Sequence, residues 1–329
     1  MDLRFEKIQE ASQQGLNETS NSSISSISLP ITDQTIPSYF ICGRNSGSLS
    51  FYKIELERFC NHSSLRFDSA INDVNLSSDG LRALVSLEDS SLKILDISTM
   101  RIVENLELNA DGACTSASYS PQANIIVAGT YEGSIHCFDA RIPRALVRRL
   151  SPAHGCPVSS VSFHPDGSVF LSTGMDGLAR VWDVLGPCLA TLIGSSERGL
   201  GSGIFSPNGR YALLGALDDG NLGLWDLAHS ARLKRVRRYK RSNLKYWMKA
   251  GFTETGYIVS GSEDGNFLAW NSADSLVLSE VDTKESGINI PLACSTSKNL
   301  VAVGGIGSHS PLLYKLESSK LGKYSAFGD

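Results

Sequence analysis

Seven segments of this chain end alike, at nearly equal spacing: residues 48–52, 92–96, 135–139, 179–183, 222–226, 267–271 and 311–315. The bulky position in each is Tyr52, Leu95, Phe138, Trp182, Trp225, Trp270 or Tyr314, which gives intervals of 43, 43, 44, 43, 45 and 44 residues. A fixed period of this length constrains the fold more than any other feature. One such unit cannot bury its apolar face alone, so neighbouring units must stack. The repeat interior is clearest in the middle of the chain. Residues 158–163 alternate, His164-Pro165-Asp166-Gly167 turns, and residues 169–173 predict the next strand. Gly174-Met175-Asp176-Gly177 then predicts a tight turn into residues 178–182, with Asp-Gly supplying backbone of positive φ. The turn recurs as Asp219-Gly220 and Asp264-Gly265, and in looser form as Asp89-Ser90 and Glu132-Gly133.

A period of about 40–45 residues closing on Trp-Asp, as at Trp182-Asp183 and Trp225-Asp226, resembles the WD40 repeat. The resemblance implies an all-β, seven-bladed propeller with one four-stranded sheet per repeat. The propeller is expected to occupy residues 23–329, with residues 1–22 as a closing strand and a Ser/Asn-rich loop. Residues 24–29, 38–43 and 48–53 read as the first three strands of blade one. The seventh blade then lacks an outer strand, and residues 3–8 are expected to supply it, so that no long free edge remains. Only the fourth repeat holds the full hydrogen-bonding tetrad that the resemblance implies: His154, Ser172, Asp176 and Trp182. Ser, His and Asp together invite a catalytic reading. A structural network that satisfies buried polar groups is the expected one.

Thirty basic and 34 acidic residues give a net charge of −4, which offers no general attraction for nucleic acid or anionic membrane. No apolar run approaches the ~18 residues of a membrane span. The first seven residues, Met1 to Lys7, lack the apolar core of a secretory signal, so none is expected there. The seven cysteines include no C-x-x-C pair and read as reduced core residues of an intracellular protein. Gly304-Gly305-Ile306-Gly307 looks loosely like a dinucleotide loop, but it falls where blade seven should turn and no helix pattern follows. No P-loop, nucleophile elbow or metal-ligand spacing is found, so no enzyme activity, cofactor or metal is expected.

Residues 154–271 resemble the WD-repeat core subunit of COMPASS/MLL-type histone lysine-4 methyltransferase complexes. The resemblance lies in Met175-Asp176-Gly177-Leu178-Ala179-Arg180, in Phe205-Ser206-Pro207-Asn208-Gly209-Arg210-Tyr211, in Lys245-Tyr246 and in Ser260-Gly261-Ser262-Glu263-Asp264. It implies two partner-binding surfaces. In the first, a central opening, a partner's arginine stacks between two aromatic rings. Tyr131 holds one ring position, Tyr246 is kept on the rim, and Glu88 holds an acidic rim position. Lys249 stands where the second ring is expected, and Met175 replaces another aromatic. Three readings stay open there: arginine binding, preference for an acidic or phosphorylated residue at Lys249, or a solvated lysine beside an unused hole. The second surface is a cleft for an acidic-hydrophobic segment, implied at Asn208, Tyr211, Leu224 and Phe252. Glu254 and Ala273 depart from it.

One feature has no counterpart in that family. Arg232, Lys234, Arg235, Arg237, Arg238, Lys240, Arg241 and Lys245 form a dense basic stretch interleaved with Tyr239, Tyr246 and Trp247. It reads as a solvated strand, a nuclear import signal, an acidic-partner surface, or a phosphate-binding track for RNA or DNA. Four such cations on phosphates would give a log K against log salt slope of roughly −3 to −4. The leading expectation is a non-catalytic scaffold in a nuclear chromatin-modifying complex, bound to a SET-domain methyltransferase and a histone tail, with the cytoplasm as a second location. The alternatives are a subunit of an RNA-processing or ribonucleoprotein complex, and a substrate receptor of a cullin-type ubiquitin ligase. The last rests on Phe138-Asp139-Ala140-Arg141, which resembles the W-D-x-R box.

Overall fold

A computed structural model of the chain describes residues 3–10, 22–30, 38–55, 58–108, 111–193, 198–217, 221–227, 234–239, 246–297, 300–307 and 310–318. Contacts divide it into two compact units, Met1–Ile71 with Met248–Asp329, and Asn72–Trp247.

In the first unit, β1 (Leu3–Glu10) precedes blade one, which is β2 (Ile24–Ser28), β3 (Tyr39–Arg44), β4 (Ser48–Glu55) and β5 (Arg58–Arg66). The second unit holds four blades. Blade two is β6 (Ile71–Leu76), β7 (Arg82–Leu87), β8 (Ser91–Asp96) and β9 (Arg101–Glu107). Blade three is β10 (Cys114–Tyr119), β11 (Ile125–Thr130), β12 (Ile135–Asp139) and β13 (Ala145–Leu150). Blade four is β14 (Val158–Phe163), β15 (Val169–Gly174), β16 (Leu178–Asp183) and β17 (Cys188–Ile193). Blade five is β18 (Leu200–Phe205), β19 (Tyr211–Ala216), β20 (Leu222–Asp226) and β21 (Lys234–Tyr239). The first unit resumes with blade six, β22 (Ala250–Phe252), β23 (Tyr257–Gly261), β24 (Asn266–Asn271) and β25 (Val277–Asp282). Blade seven begins with β26 (Ile290–Ser297), β27 (Leu300–Ile306) and β28 (Leu312–Ser318). Each blade is an antiparallel meander, and the fold class is the all-β, seven-bladed propeller that the period implies. Among the described residues no helix is long and apolar enough to cross a membrane.

The fourth strand of blade seven comes from the other end of the chain. β1 pairs antiparallel with β28 from Leu3↔Ser318 to Ile8↔Leu313. It then runs parallel to β5 at Gln9↔Arg58 and Glu10↔Phe59, so blades one and seven form one eight-stranded sheet. The strand is gripped on both faces: Leu3 packs in one core with Tyr257 and Phe267 and Ile8 in another with Ile24 and Phe40, while Arg4, Glu6 and Lys7 are exposed. The Ser/Asn-rich loop expected after it lies outside the described residues.

Blades within each unit are joined by apolar side chains that interleave. Val127, Ile135 and Cys137 of blade three pack with Val158, Val161, Phe170 and Trp182 of blade four. Leu171, Val181 and Leu192 of blade four pack with Leu200, Phe205 and Leu214 of blade five. Polar links run alongside. The Thr115 hydroxyl donates to the Val158 carbonyl at 2.6 Å, and Ser116 Oγ donates to Asp73 Oδ2 at 2.8 Å.

The tight turns obey a narrower rule than the sequence suggests. In Asp176-Gly177 only the glycine is left-handed, with φ 76°, and its N–H donates to the Gly174 carbonyl. Asp89-Ser90 makes the same turn without glycine, so Ser90 itself takes φ 66°. A side chain there costs about 1 kcal/mol. Ser90→Gly is therefore expected to stabilise the protein by about 0.5–1 kcal/mol, read as a higher urea midpoint at constant slope. A lower midpoint would mean that the serine side chain contributes more than its strain.

Gly304-Gly305-Ile306-Gly307 is not a loop. Gly304, Gly305 and Ile306 lie inside β27, and only Gly307 turns, at φ 90°. A Cβ on Gly305 would sit 1.9 Å from the Ile290 carbonyl oxygen, so close strand approach explains that glycine. The cysteines also divide. Cys42, Cys114, Cys137 and Cys294 are buried, and burial pushes the Cys114 and Cys137 thiols up to about 12. Cys156 and Cys188 are exposed, which corrects the core reading for those two.

Candidate functional site

Blade four carries the tetrad as a chain of hydrogen bonds. Asp176 lies in the β15–β16 turn, His154 precedes β14, and Ser172 of β15 is diagonal to Trp182 of β16, in the registers Ser172↔Arg180 and Phe170↔Trp182. Trp182 Nε1 donates to Ser172 Oγ at 2.8 Å. The Ser172 hydroxyl donates to His154 Nε2 at 2.7 Å, and His154 Nδ1 donates to the Asp176 carboxylate at 3.0 and 3.1 Å. A carboxylate only accepts, which places the imidazole proton on Nδ1. Arg180 Nη1 donates to Asp176 Oδ2 at 3.0 Å, and the Gly155 and Leu178 amides donate to the same carboxylate. Burial favours neutral His154 and lowers its pKa, although Asp176 pulls the other way. Burial also opposes charge on Asp176, but the hydrogen bonds from His154 and Arg180 outweigh it and hold its carboxyl below the ordinary range. Ser172 is wholly buried and both its hydrogen bonds are committed, so its oxygen is closed to a substrate.

Blade three holds a second charged network. Asp111 Oδ2 accepts from His136 Nε2 at 2.6 Å and from Arg149 Nε at 2.8 Å, and Arg149 Nη2 donates to Asp111 Oδ1. Asp111 and His136 are buried, whereas the Arg149 side chain is 48% exposed. Burial lowers the His136 pKa against the pull of Asp111. For Asp111, burial is outweighed by hydrogen bonds from Arg149 and His136, and its carboxyl lies below the ordinary range. The sequence reading missed this cluster, yet the period points to it. Stepping back 43 residues from His154 gives Asp111, and 44 from Arg180 gives His136. The network borders a groove of about 460 Å³ between β9 and β13, walled by Leu106, Leu108, Phe138 and Leu146 with Arg144 alongside.

The residues expected at the central opening fall in both units. Glu88, Tyr131 and Met175 each follow the second strand of blades two, three and four, one per repeat. Tyr131 is 55% exposed, and Glu88 Oε2 accepts from Asn72 Nδ2 at 2.8 Å. Tyr246, in the same unit, is partly buried. Lys249 belongs to the other unit, where its ammonium donates to Ser26 Oγ at 2.8 Å.

At the second cleft, Leu224 is 0%, Tyr211 8% and Phe252 8% exposed, so as they stand these side chains are core and offer a partner little surface. Tyr211 carries Arg210 over its ring at 5.2 Å. Asn208 is a turn residue whose Oδ1 accepts from Ser206 Oγ at 2.7 Å. In the basic stretch, Lys234, Arg235, Arg237 and Arg238 lie on β21, the outer strand of blade five. Arg232, Lys240, Arg241 and Lys245 lie outside the described residues. Arg141, of the W-D-x-R-like segment, turns back onto Asp139, with Nη2 2.6 Å from Oδ2. Among the described residues no three His, Cys, Asp or Glu side chains gather as a metal site.

A family profile described as WD domain, G-beta repeat matches residues 145–183, which span the outer strand of blade three and most of blade four. That stretch is a WD40 repeat. Relatives named eukaryotic translation initiation factor 3 subunit I, from Drosophila willistoni and Drosophila melanogaster, are each 26% identical to the WD40 chain over 162 residues. Those alignments cover 45% of this chain and 48% of each relative. The nuclear distribution protein PAC1 of Ajellomyces capsulatus (strain H143) is 32% identical over 165 residues, 49% of this chain and 30% of that protein. The WD40 chain thus spans about half the length of the translation factor relatives it matches and less of PAC1. None of these three is titled a methyltransferase core subunit, so the finer resemblance read from residues 154–271 gains no support from them.

Proposed function

We propose that this WD40 chain is a non-catalytic scaffold subunit of a multiprotein assembly that acts on RNA, of the translation initiation or ribonucleoprotein class. The similarity to subunits I of translation initiation factor 3 carries this reading. It favours the RNA-directed alternative over the chromatin scaffold. Two features support it. The Ser-His-Asp constellation in blade four is locked in a buried chain, as a structural element is. The strand Lys234–Tyr239 carries four cations in six residues, a composition suited to phosphate. In this proposal the scaffold is one domain over residues 23–329 with residues 1–22 as its closing segment. Partners contact Glu88, Tyr131, Tyr246 and Lys249, and Arg235, Arg237 and Arg238 meet RNA. A location in both nucleus and cytoplasm accompanies the proposal, and a fluorescent fusion tests it.

The test is native purification of the tagged chain with its stable partners and RNA identified, beside the Arg235→Ala, Arg237→Ala, Arg238→Ala triple variant. Translation or ribonucleoprotein subunits should be recovered. RNA binding by the unsubstituted chain should weaken with salt, and the triple variant should flatten the log K against log salt slope by about 2–3. Recovery of a SET-domain methyltransferase, or of a cullin adaptor lost on Arg141→Ala, would overturn the proposal.

A further inference from the structure

Among the described residues, five outer strands end their sheets with no strand paired beyond them, leaving an edge of backbone N–H and C=O groups: β9, β13, β17, β21 and β25. Such edges invite pairing with another chain, and charged side chains are the usual protection. Four of the five follow that rule. β9 carries Arg101, Glu104 and Glu107; β13 carries Arg148 and Arg149; β21 carries four cations; β25 carries Glu280 and Asp282. β1 and β5 pair over only two residues, and beyond that overlap each carries charge, Arg4, Glu6 and Lys7 on β1 and Arg66 on β5. β17 alone reads Cys188-Leu189-Ala190-Thr191-Leu192-Ile193, with no charge, no proline and no glycine.

Its side chains divide by face. Leu192 is 1% exposed and, with Ala190, packs into the core shared with blade five, which fixes the strand in place. Leu189 is 56% and Ile193 72% exposed, and Leu185 in the preceding turn is 70% exposed. Ile193 and Leu185 are the two most exposed large apolar side chains among the described residues. The same blade is braced internally by the tetrad, so the open edge is held on rigid support.

We infer that β17 is a docking edge for an uncharged, extended segment of a partner protein, which adds as a fifth strand to blade four and covers Leu189 and Ile193. This rests on the scaffold reading and names where one partner binds. The mode is strand addition, in which main-chain hydrogen bonds hold the segment and alternate side chains select it. A second copy of this chain fits less well. A pair of six-residue edges buries far less than the ~1,200 Å² at which specific dimers begin, whereas a segment tethered within an assembly gains from its high effective concentration.

The experiment uses the full chain, tagged and purified with its partners, carrying a photo-reactive benzoylphenylalanine in place of Thr191. A cross-link to an extended, uncharged segment of another subunit is expected. The double variant Thr191→Lys with Ile193→Lys should lower recovery of that subunit at least tenfold while its thermal midpoint stays within a few degrees. Ile102→Lys on β9 and Val277→Lys on β25, both at exposed positions, should leave recovery unchanged. A cross-link to another copy of the chain, or to a helical or charged segment, would overturn the inference. So would full recovery with the double variant, which leaves the scaffold reading standing. If even the unsubstituted chain retains no subunit, both fail.

Discussion

Deleting residues 1–10 is expected to destabilise the first unit by roughly 5 kcal/mol or more, enough to unfold a marginally stable domain. The loss has three parts. The six-pair antiparallel ladder to β28 disappears. Buried Leu3 and Ile8 go with it, each contributing about 1.5–3 kcal/mol. Phe5 is also removed, which meets Phe267 and Tyr314 edge-on, both with ring centroids 5.6 Å apart. The truncation bares the edges of β28 and β5 as well, so aggregation should accompany unfolding. Urea titration followed through Trp270, the fully buried tryptophan of this unit, measures the effect. Adding the excised ten-residue peptide in excess should restore part of the midpoint. A truncated chain that melts with the intact one would show that β1 contributes nothing to the fold.

Asp176→Ala should cost about 3 kcal/mol, because removing one partner of a buried charged network strands the others. His154, whose side chain is wholly buried, loses the acceptor for its Nδ1 proton, and Arg180 and two backbone amides lose theirs. Ser172→Ala should cost less, about 1–2 kcal/mol, since the carboxylate cluster survives it. A double-mutant cycle between positions 154 and 176 should give a coupling above 1 kcal/mol. A coupling near zero would mean that the network is coincidental.

The same residues set the pH response. His154 and His136 both have folded-state pKa values below the ordinary 6.5, so the unfolded chain takes up protons first as pH falls. Their contribution is complete above 6.5 and lost below it. Asp176 and Asp111 have folded-state values below the ordinary 3.8, so their contribution is present above that value and lost as pH falls through the lowered ones. Both terms act in one direction. Stability should be flat near pH 7, decline from about pH 6.5 and fall again below 3.8. In Asp176→Ala the step below 3.8 should shrink.

Much of this was legible in the sequence because a strand pair and its turn are local. Residues 158–163 alternate, and β14 has those bounds. The tetrad could be named because each member has a fixed place in the repeat. The need for a strand to complete blade seven followed from counting strands. The period could also have led to Asp111 and His136, but their pairing uses Arg149 from an outer strand that no motif marks. Burial was not legible. The resemblance implies Leu224 and Phe252 at a partner cleft, and only the packing of blades shows that both side chains are buried. Gly304 and Gly305 fall where the sequence places a turn, yet both lie in β27, Gly305 close against β26 and Gly304 close against Ile24 and Ile27 of β2.

The division has one physical cause. Period, alternation and turn chemistry are short-range properties, and they determined seven blades, their strand order and the class of protein. Which side chains of an outer strand remain exposed depends on the neighbouring blade, and whether an edge is open depends on where residues hundreds of positions away come to lie. β1 meets the start of β5 because the chain's beginning pairs with its last blade, and β17 stays open because no described segment reaches it. Only the tertiary structure could distinguish those two edges.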